Sequence, residues 1–563
     1  MAANTSRRVQ VLNRVLHAQV NVKETSGVEM PVVDLEPPPP GASQEYQTLL
    51  NSDAVNFVAQ LVDTFDDRVE QLHWHRLNRK CTLKKTWQMP QFLDTGVRRE
   101  KNWKVAQVPE RLRNRHLDLG DVSPANTEHF TSSLLADVQG IQVDFDDGHC
   151  PTWRNQIIGL HNVYRAVHNL IPGAPVIEKA PVLMLRPRAW NMVEHNMLVN
   201  GKEVAGPLFD FGLLMYHNAQ CLFQAHSGPF FYLSKVEGAN EAQLWNDIFI
   251  WAQEKLGIPQ GTIKACVLIE NILSSYEMEE ILFALKEHSL GLNCGIWDYA
   301  ASVICKFGER REFVLPDRNK YVNMERHFLK CYMQLVVQTC HRRGAHATGG
   351  MAALLLPSTS DTYFTAIYEV CKAKLQEIKT GVDGFMVYDL RLIQHINKLW
   401  EVSAPRENQL SVTLDGITVT AQDLIQMPSG GVTFAGLKHN ISVAILFIYN
   451  WLQGRGHFYH HGAVEDSATA EISRSQIWQW IRHQTCMEDH PGAVTKSLVN
   501  KLAVEFVMQF KATEKHRRLL EAASDVFMQI VTKRNFPDFI TTYLNDSHIF
   551  WASQNNCSQQ SHL

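Results

Sequence analysis

No apolar run in the 563-residue chain approaches the roughly 18 residues that a bilayer-spanning helix needs, so no membrane span is expected. An excess of one charge is missing too. Lys and Arg number 54 against 58 Asp and Glu, a formal net charge of −4, and the two signs are mixed along the chain. That balance offers no basic surface for nucleic acid. The 11 cysteines include no CxxC pair and no regular spacing, which argues against a zinc cluster or a disulfide frame and fits free thiols in a reducing compartment. What is present in quantity is hydrophobic residues, 45% of the chain, enough to bury a large core in more than one domain.

Residues 1–45 are expected to be a flexible N-terminal segment that ends in Pro37 to Pro40 and Gly41, a stiff polyproline spacer. In residues 54–72, Val58, Leu61, Val62, Phe65, Val69 and Leu72 share one helical face, which predicts an amphipathic helix within a region spanning 46–130. His73 and His75 flank Trp74 at a spacing of two, cannot share a helix face, and are read as structural. From 131 to 420, short apolar runs (Val182 to Leu185, Phe230 to Leu233, Ala265 to Ile269, Phe385 to Tyr388) alternate with helical patterns such as Glu241 to Leu256 and Tyr321 to Arg342. Repeated βα units over this length predict an α/β fold, a (β/α)8 barrel in preference to an open sheet. Beyond it, Val443 to Leu452, Thr469 to His483, Thr495 to Phe510 and Glu514 to Thr532 predict a helical domain over 421–553, then a polar, flexible tail at 554–563.

One stretch, Lys264 to Tyr299, organises the rest. An apolar run, Ala265 to Ile269, ends at Glu270. A helical pattern follows, with Met278, Ile281, Leu282 and Leu285 on one face and Glu277, Glu279, Glu280, Lys286 and Glu287 on the other. A second short segment, Leu290 to Trp297, ends at Asp298. Strand, helix, strand at this length reads as a right-handed βαβ unit, which brings both strand ends to one sheet edge and sets Glu270 beside Asp298. Two carboxylates so close repel. A shared proton or a divalent cation relieves them, and hard oxygen donors without a nearby His favour Mg²⁺.

The run KEHSLGLNCGIWDY resembles the signature of the malate synthase family, usually RDHxxGLNxGRWDY followed by Ile-Phe. Further blocks agree in order: LRPRAWNMVEHN (185–196), PLFDFGLLMYHN (207–218), SGPFFYLSK (227–235), LPDRNKYV (315–322), CHRRGAHATGGMAALLLP (340–357) and EDSATAEISRSQIWQWIRH (465–483). The resemblance covers roughly residues 50 to 550. It implies a TIM barrel held by an N-terminal helical clasp and a C-terminal helical plug. It also implies the family reaction, in which acetyl-CoA condenses with glyoxylate and the thioester is then hydrolysed to malate and CoA. By the same resemblance Asp466 is the catalytic base and Arg186 the catalytic arginine beside the thioester oxygen. Glu270 and Asp298 hold Mg²⁺, and backbone N–H groups at Gly295, Ile296 and Trp297, together with Arg186, bind substrate. Residues His346 to Pro357 are expected to form a Gly-rich loop that suits close approach of pantetheine. With the base and the metal on separate domains, closure is expected to gate the reaction.

Departures from the family pattern surround these positions. Ile296 replaces an Arg, Ala300 and Ala301 replace Ile-Phe, Ala189 and Asn191 replace Gly and His, and Phe385, Met386 and Asp389 stand where Thr, Trp and His are usual. Two other readings therefore stay open: a non-catalytic binder of an acyl-CoA or metabolite, and a related condensing enzyme that takes another 2-oxo acid. The terminal Ser561-His562-Leu563 differs by one residue from the tripeptide SKL, which predicts a peroxisomal import receptor as partner and the peroxisome or glyoxysome matrix as location. Residues 1–23, with Arg7, Arg8 and Arg14 and no acid, leave a mitochondrial presequence as the alternative, and Arg8-Val9 and His17-Ala18 are spaced too widely for the N-terminal peroxisomal signal.

Overall fold

The computed structural model describes residues 30–358, 360–511 and 513–559. The N-terminal arginines and the C-terminal tripeptide lie outside these residues. Eight parallel strands close a barrel in strict chain order: β1 (Leu117–Val122), β2 (Gly140–Asp144), β3 (Val182–Arg186), β4 (Phe230–Leu233), β5 (Lys264–Ile269), β6 (Ser289–Cys294), β7 (His346–Ala352) and β8 (Gly384–Val387). Seven of the eight are buried at every residue, as strands covered on both faces must be, which is why β3, β4, β5 and β8 read as short apolar runs without alternation. Within them a period of two still sorts the side chains. Val182, Met184, Phe230, Tyr232, Cys266 and Leu268 fill the barrel interior, while Leu183, Leu185, Phe231 and Val267 face the surrounding helices. Extended by one step, the inward row of β3 reaches Arg186 and that of β5 reaches Glu270. Gly291 lets β6 and β7 close: it takes φ +128°, and a Cβ there would lie 1.8 Å from the His346 carbonyl oxygen.

The expected stripe on the N-terminal helix is the buried face of α1 (Ser52–Thr86), which lies along the barrel's outer helices Gly206–Gln224 and Ala239–Leu256. Asn51 caps its start, accepting from Ala54 N at 3.0 Å, and Trp87 in the left-handed region (φ +56°) ends it. Arg76 grips Glu241 with two bonds of 2.7 Å, Arg79 binds Glu277 at 2.7 Å, and Arg98 binds Glu280 at 2.8 Å. The acidic face predicted around Glu277 to Glu287 is therefore largely turned inward. Glu279 and Glu280 are buried, each spent on an arginine, and periodicity alone could not separate a solvated acid from a paired one.

Several expected boundaries move. The folded chain begins before the proline run: Val33–Leu35 pairs antiparallel with Val193–Val199, so the prolines connect two packed elements and are not a spacer ahead of the fold. The barrel opens at Leu117, inside the segment assigned to the clasp at 46–130, because β1 carries polar residues Asp118 and Asp121 and did not read as an apolar run. The last helix, Ile540–Gln559, runs past 553, so the expected flexible tail at 554–563 begins as helix through Gln559. His346–Ala352 is a barrel strand and not a loop. Its Gly349 clears the Glu377 carboxylate, which would stand 2.0 Å from a Cβ.

The helical domain has its own core, built by α3 (Phe434–Trp451), α4 (Ser467–His483), Lys496–Gln509, Glu514–Thr532 and the last helix. It is docked on the barrel's C-terminal rim next to α2 (Ile296–Phe307), the helix after β6. Side chains of α4 hold the barrel's connecting loop: Gln476 donates to Pro316 O at 2.6 Å, Gln479 to Phe313 O at 2.7 Å and Trp480 Nε1 to Leu315 O at 2.8 Å.

Candidate active site at the barrel rim

Parallel pairing of β5 with β6 sets Ile269 opposite Cys294, so the residues that follow leave the sheet at the same edge. Glu270 follows β5 directly. Asp298 does not end the second strand as expected. β6 stops at Cys294 and Asp298 lies in the first turn of α2, where a carboxylate is favoured by the helix's N-terminal field. The two nevertheless meet, and Asp147 joins them: one oxygen from each of Asp147, Glu270 and Asp298 lies within 4.8 Å of the others, and all three residues are buried.

Asp147 belongs to VDFDDGHC, a segment that gave no expectation from sequence although it places three acids, Asp144, Asp146 and Asp147, just beyond an apolar strand. Asp144 is register partner to Arg186 across β2 and β3. Arg186 is 3% exposed and lies 3.4 Å from each of Asp144, Asp146 and Glu270, with a still closer contact to Asp147. Lys235, also unforeseen, follows β4 in a left-handed conformation (φ +54°). Its ammonium binds Asp146 and Asp147 at 2.6 Å each and stands 3.4 Å from Asp298, while its backbone N–H donates to Glu270 Oε2 at 3.0 Å.

Asp466 caps α4 from the opposite side. Its Oδ1 accepts from Thr469 N at 2.9 Å and Thr469 Oγ1 accepts from Asp466 N at 2.9 Å, a reciprocal capping box that holds the carboxylate by both ends. The next residue, Ser467, donates to Asp147 and ties the cap domain to the barrel acids. Arg186, Glu270, Asp298, Asp466, Asp147 and Asp121 line one cavity of about 100 Å³, with Gly295, Ile296 and Trp297 on its wall. Asp466 and the acid cluster already share this cavity in the described conformation.

Seven carboxyls (Asp121, Asp144, Asp146, Asp147, Glu270, Asp298, Asp466) thus meet two cations, Arg186 and Lys235. The imbalance appears in their protonation. Burial pushes Glu270 up to about 7, against the pull of Arg186 and Lys235 and helped by Asp147. Burial and neighbouring acids also raise Asp298, while Asp144 rises to about 6. Asp147 alone goes down, because Arg186 and Lys235 outweigh its burial. Asp298 Oδ2 has no hydrogen-bond partner. Three oxygen donors with an orphaned acceptor and excess negative charge suit a hard divalent cation, and Asp147, Glu270 and Asp298 would hold it.

The first-turn N–H groups of α2 receive no side-chain cap from Gly295. The Gly295 N–H itself is spent: it donates to Tyr332 Oη at 3.1 Å, and Tyr332 in turn donates to Ile269 O. That removes Gly295 from the expected anion-binding trio and leaves Ile296 and Trp297.

Fold and site define a (β/α)8-barrel enzyme with a carboxylate centre at its C-terminal rim and a helical cap that brings Asp466 to the same cavity. Residues 182–427 match the malate synthase TIM barrel domain, and residues 431–547 match the malate synthase C-terminal domain. Malate synthase of Myxococcus xanthus is 38% identical over 512 residues, 88% of this chain and 93% of that protein. The Dictyostelium discoideum malate synthase is 36% identical, covering 88% of this chain and 94% of its own length, and Escherichia coli malate synthase A is 34% identical, covering 89% and 96%. The chain belongs to the malate synthase family, and its activity is the acyl transfer of that family.

Proposed function

We propose that this rim cavity condenses acetyl-CoA with glyoxylate and hydrolyses the resulting thioester to malate and CoA, with Asp466 as base, Arg186 beside the thioester oxygen and Mg²⁺ on Asp147, Glu270 and Asp298. The observation that carries the assignment is the convergence of Asp466 from the cap with Arg186, Glu270 and Asp298 from three successive regions of the barrel in one cavity. A binder needs no base at that place.

The methyl protons of a thioester are weakly acidic, so a carboxylate removes one only if the enolate oxygen is stabilised as it forms. Asp466 is positioned for the first task by its capping box and buried position, and burial raises its proton affinity. Arg186 suits the second: buried among acids that keep it charged, it retains an N–H, Nε, with no hydrogen-bond partner. The N–H groups of Ile296 and Trp297 at the start of α2 suit a carboxylate such as that of glyoxylate. When bound, Mg²⁺ supplies Lewis-acid polarisation of the acceptor carbonyl. Lys235 and Arg186 hold Asp147 ionised and ready as a ligand.

The direct test is thiol release from acetyl-CoA. It should require glyoxylate and be abolished by EDTA; release that is equal without glyoxylate, or indifferent to EDTA, removes the reading. A peroxisomal or glyoxysomal setting is part of the proposal. Two relatives are named glyoxysomal, those of Glycine max and Candida tropicalis, each 34% identical. Imaging a fluorescent fusion of the full chain against peroxisomal and mitochondrial markers decides it.

A further inference from the structure

Away from the acid cluster, three histidines gather where the cap domain delivers its base. His439 projects from α3. His460 and His461 end and turn the hairpin of Phe458–His460 with Ala463–Glu465. One nitrogen from each imidazole lies within 4.8 Å of the others. We propose that His439, His460 and His461 form a second metal site, for Zn²⁺ or a similar imidazole-preferring transition ion.

The convergence is built by the backbone. Successive side chains of a strand point to opposite faces, so adjacent histidines normally part. Here His461 (φ +48°) and Gly462 (φ +77°) both lie in the left-handed region, the signature of a two-residue type I′ turn. The turn swings the His461 ring beside that of His460, at 3.9 Å between centroids, and both rings stand about 6 Å from His439.

The hydrogen bonds also select which nitrogens are free. Ser442 donates its only proton to His439 O at 2.8 Å, so the 2.9 Å contact between Ser442 Oγ and His460 Nε2 must be donated by the histidine. His460 therefore carries its proton on Nε2 and offers the lone pair of Nδ1. Arg318 donates to His439 Nε2 at 3.3 Å, which marks that nitrogen as a lone-pair site; Arg318 keeps Asn440 and Ser473 if a metal displaces it. Burial, with help from Arg318 and from the neighbouring rings, holds His439 down to about 3, so it is neutral and able to ligate. Glu465 stands 4.0 Å from His439 Nε2, outside the three-imidazole cluster, and its Oε2 is buried without a hydrogen-bond partner; solvent is left to complete the coordination. A tetrahedral zinc sets its nitrogens about 3.3 Å apart. His461 is exposed, so its ring has room to close the remaining distance and the site is open to solvent. The strand Ala463–Glu465 runs straight into Asp466, so an ion here would pin the delivery arm of the base to α3.

The test uses the full chain with Mg²⁺ in excess to occupy the acid centre. Zn²⁺ is titrated against a chromophoric chelator, and Co²⁺ is added separately to read its d–d spectrum. The wild type should bind one Zn²⁺ that His461→Asn and His439→Gln bind at least about tenfold more weakly. It should also give a tetrahedral Co²⁺ band that both variants lose. Asn tolerates the left-handed turn position, so His461→Asn should fold normally and keep its metal-free basal turnover. Wild type without bound Zn²⁺, or equal affinity and an unchanged Co²⁺ spectrum in both variants, overturns the site.

Discussion

Asp121 and Asp466 line the same rim cavity and act on each other's proton affinity: Asp466 raises Asp121, and Asp121 lowers Asp466. Two buried carboxylates so placed repel unless one carries a proton. Burial, then Asp466 and Asp144, raise Asp121 well above the usual range, and no donor reaches its Oδ2. Asp121 is therefore the neutral partner, and its carboxyl holds the proposed base lower than burial alone would leave it. Asp121 also sits at φ +54°, a backbone region that Asp and Asn accept and Ala resists. Asp121→Asn, whose amide donates in place of the carboxyl proton, is expected to keep the acid limb of the kcat/KM profile near its wild-type position. Asp121→Ala should move that limb to higher pH and cost about 1 kcal/mol or more in stability. Profiles that coincide for all three proteins would remove Asp121 from control of Asp466.

Asp466 is the proposed base as well as a helix cap, and the two roles are separable. Asn caps as well as Asp does but accepts no proton. Asp466→Asn is expected to retain the fold and the binding of Mg²⁺ with glyoxylate, while kcat falls by about 10² to 10⁴. Isothermal titration beside the turnover assay checks both halves, and normal turnover would refute the base assignment.

What the sequence made legible follows from how each element earns its position. The stripe Val58 to Leu72, the strand runs before Arg186 and Glu270, and the helical run from Thr469 to His483 are local signals, and they predicted α1, β3, β5 and α4. The closeness of Glu270 and Asp298 followed from parallel pairing, although the route through the first turn of α2 did not. Asp147 and Lys235 escaped notice because each acts across the barrel. A lysine after FFYLS is an ordinary surface ending until the closed sheet turns it onto acids from another strand. Glu279 and Glu280 were misjudged for the same reason, since their partners lie far away in sequence at Arg343 and Arg98.

Metal binding should depend on pH through Glu270. Burial lifts this carboxyl to about 7 from its ordinary 4.5, so between those values the folded protein holds more protons than the unfolded chain. Stability without metal therefore falls as pH rises across that window. Mg²⁺ competes with the proton, so its affinity rises over the same range. The gain in melting temperature on adding Mg²⁺ is expected to grow from about pH 4.5 to about pH 7 and then level off. Asp298→Asn should weaken Mg²⁺ at every pH and flatten the response. A Mg²⁺ shift independent of pH in the wild type would show that Glu270 is not a ligand.

The buried pair Glu279–Arg343 lets stability be probed away from the chemistry. Arg343 is 1% exposed, donates to Glu279 at 2.6 Å and packs its guanidinium 4.1 Å from the centre of the Trp103 ring. Glu279→Ala strands a buried cation that keeps only backbone acceptors such as Glu100 O, and should cost about 3 kcal/mol. Removing both charges in Glu279→Met with Arg343→Met should recover much of that loss, because the penalty comes from the unpaired charge and not from the absence of attraction. Glu401→Ala, which breaks the exposed pair with Lys398, should stay within about 0.5 kcal/mol of wild type. Denaturant unfolding of the four proteins ranks these costs, and a double variant no better than Glu279→Ala would mean that the pair itself, through its bonds to the segment around Val97 and Trp103, holds the clasp to the barrel.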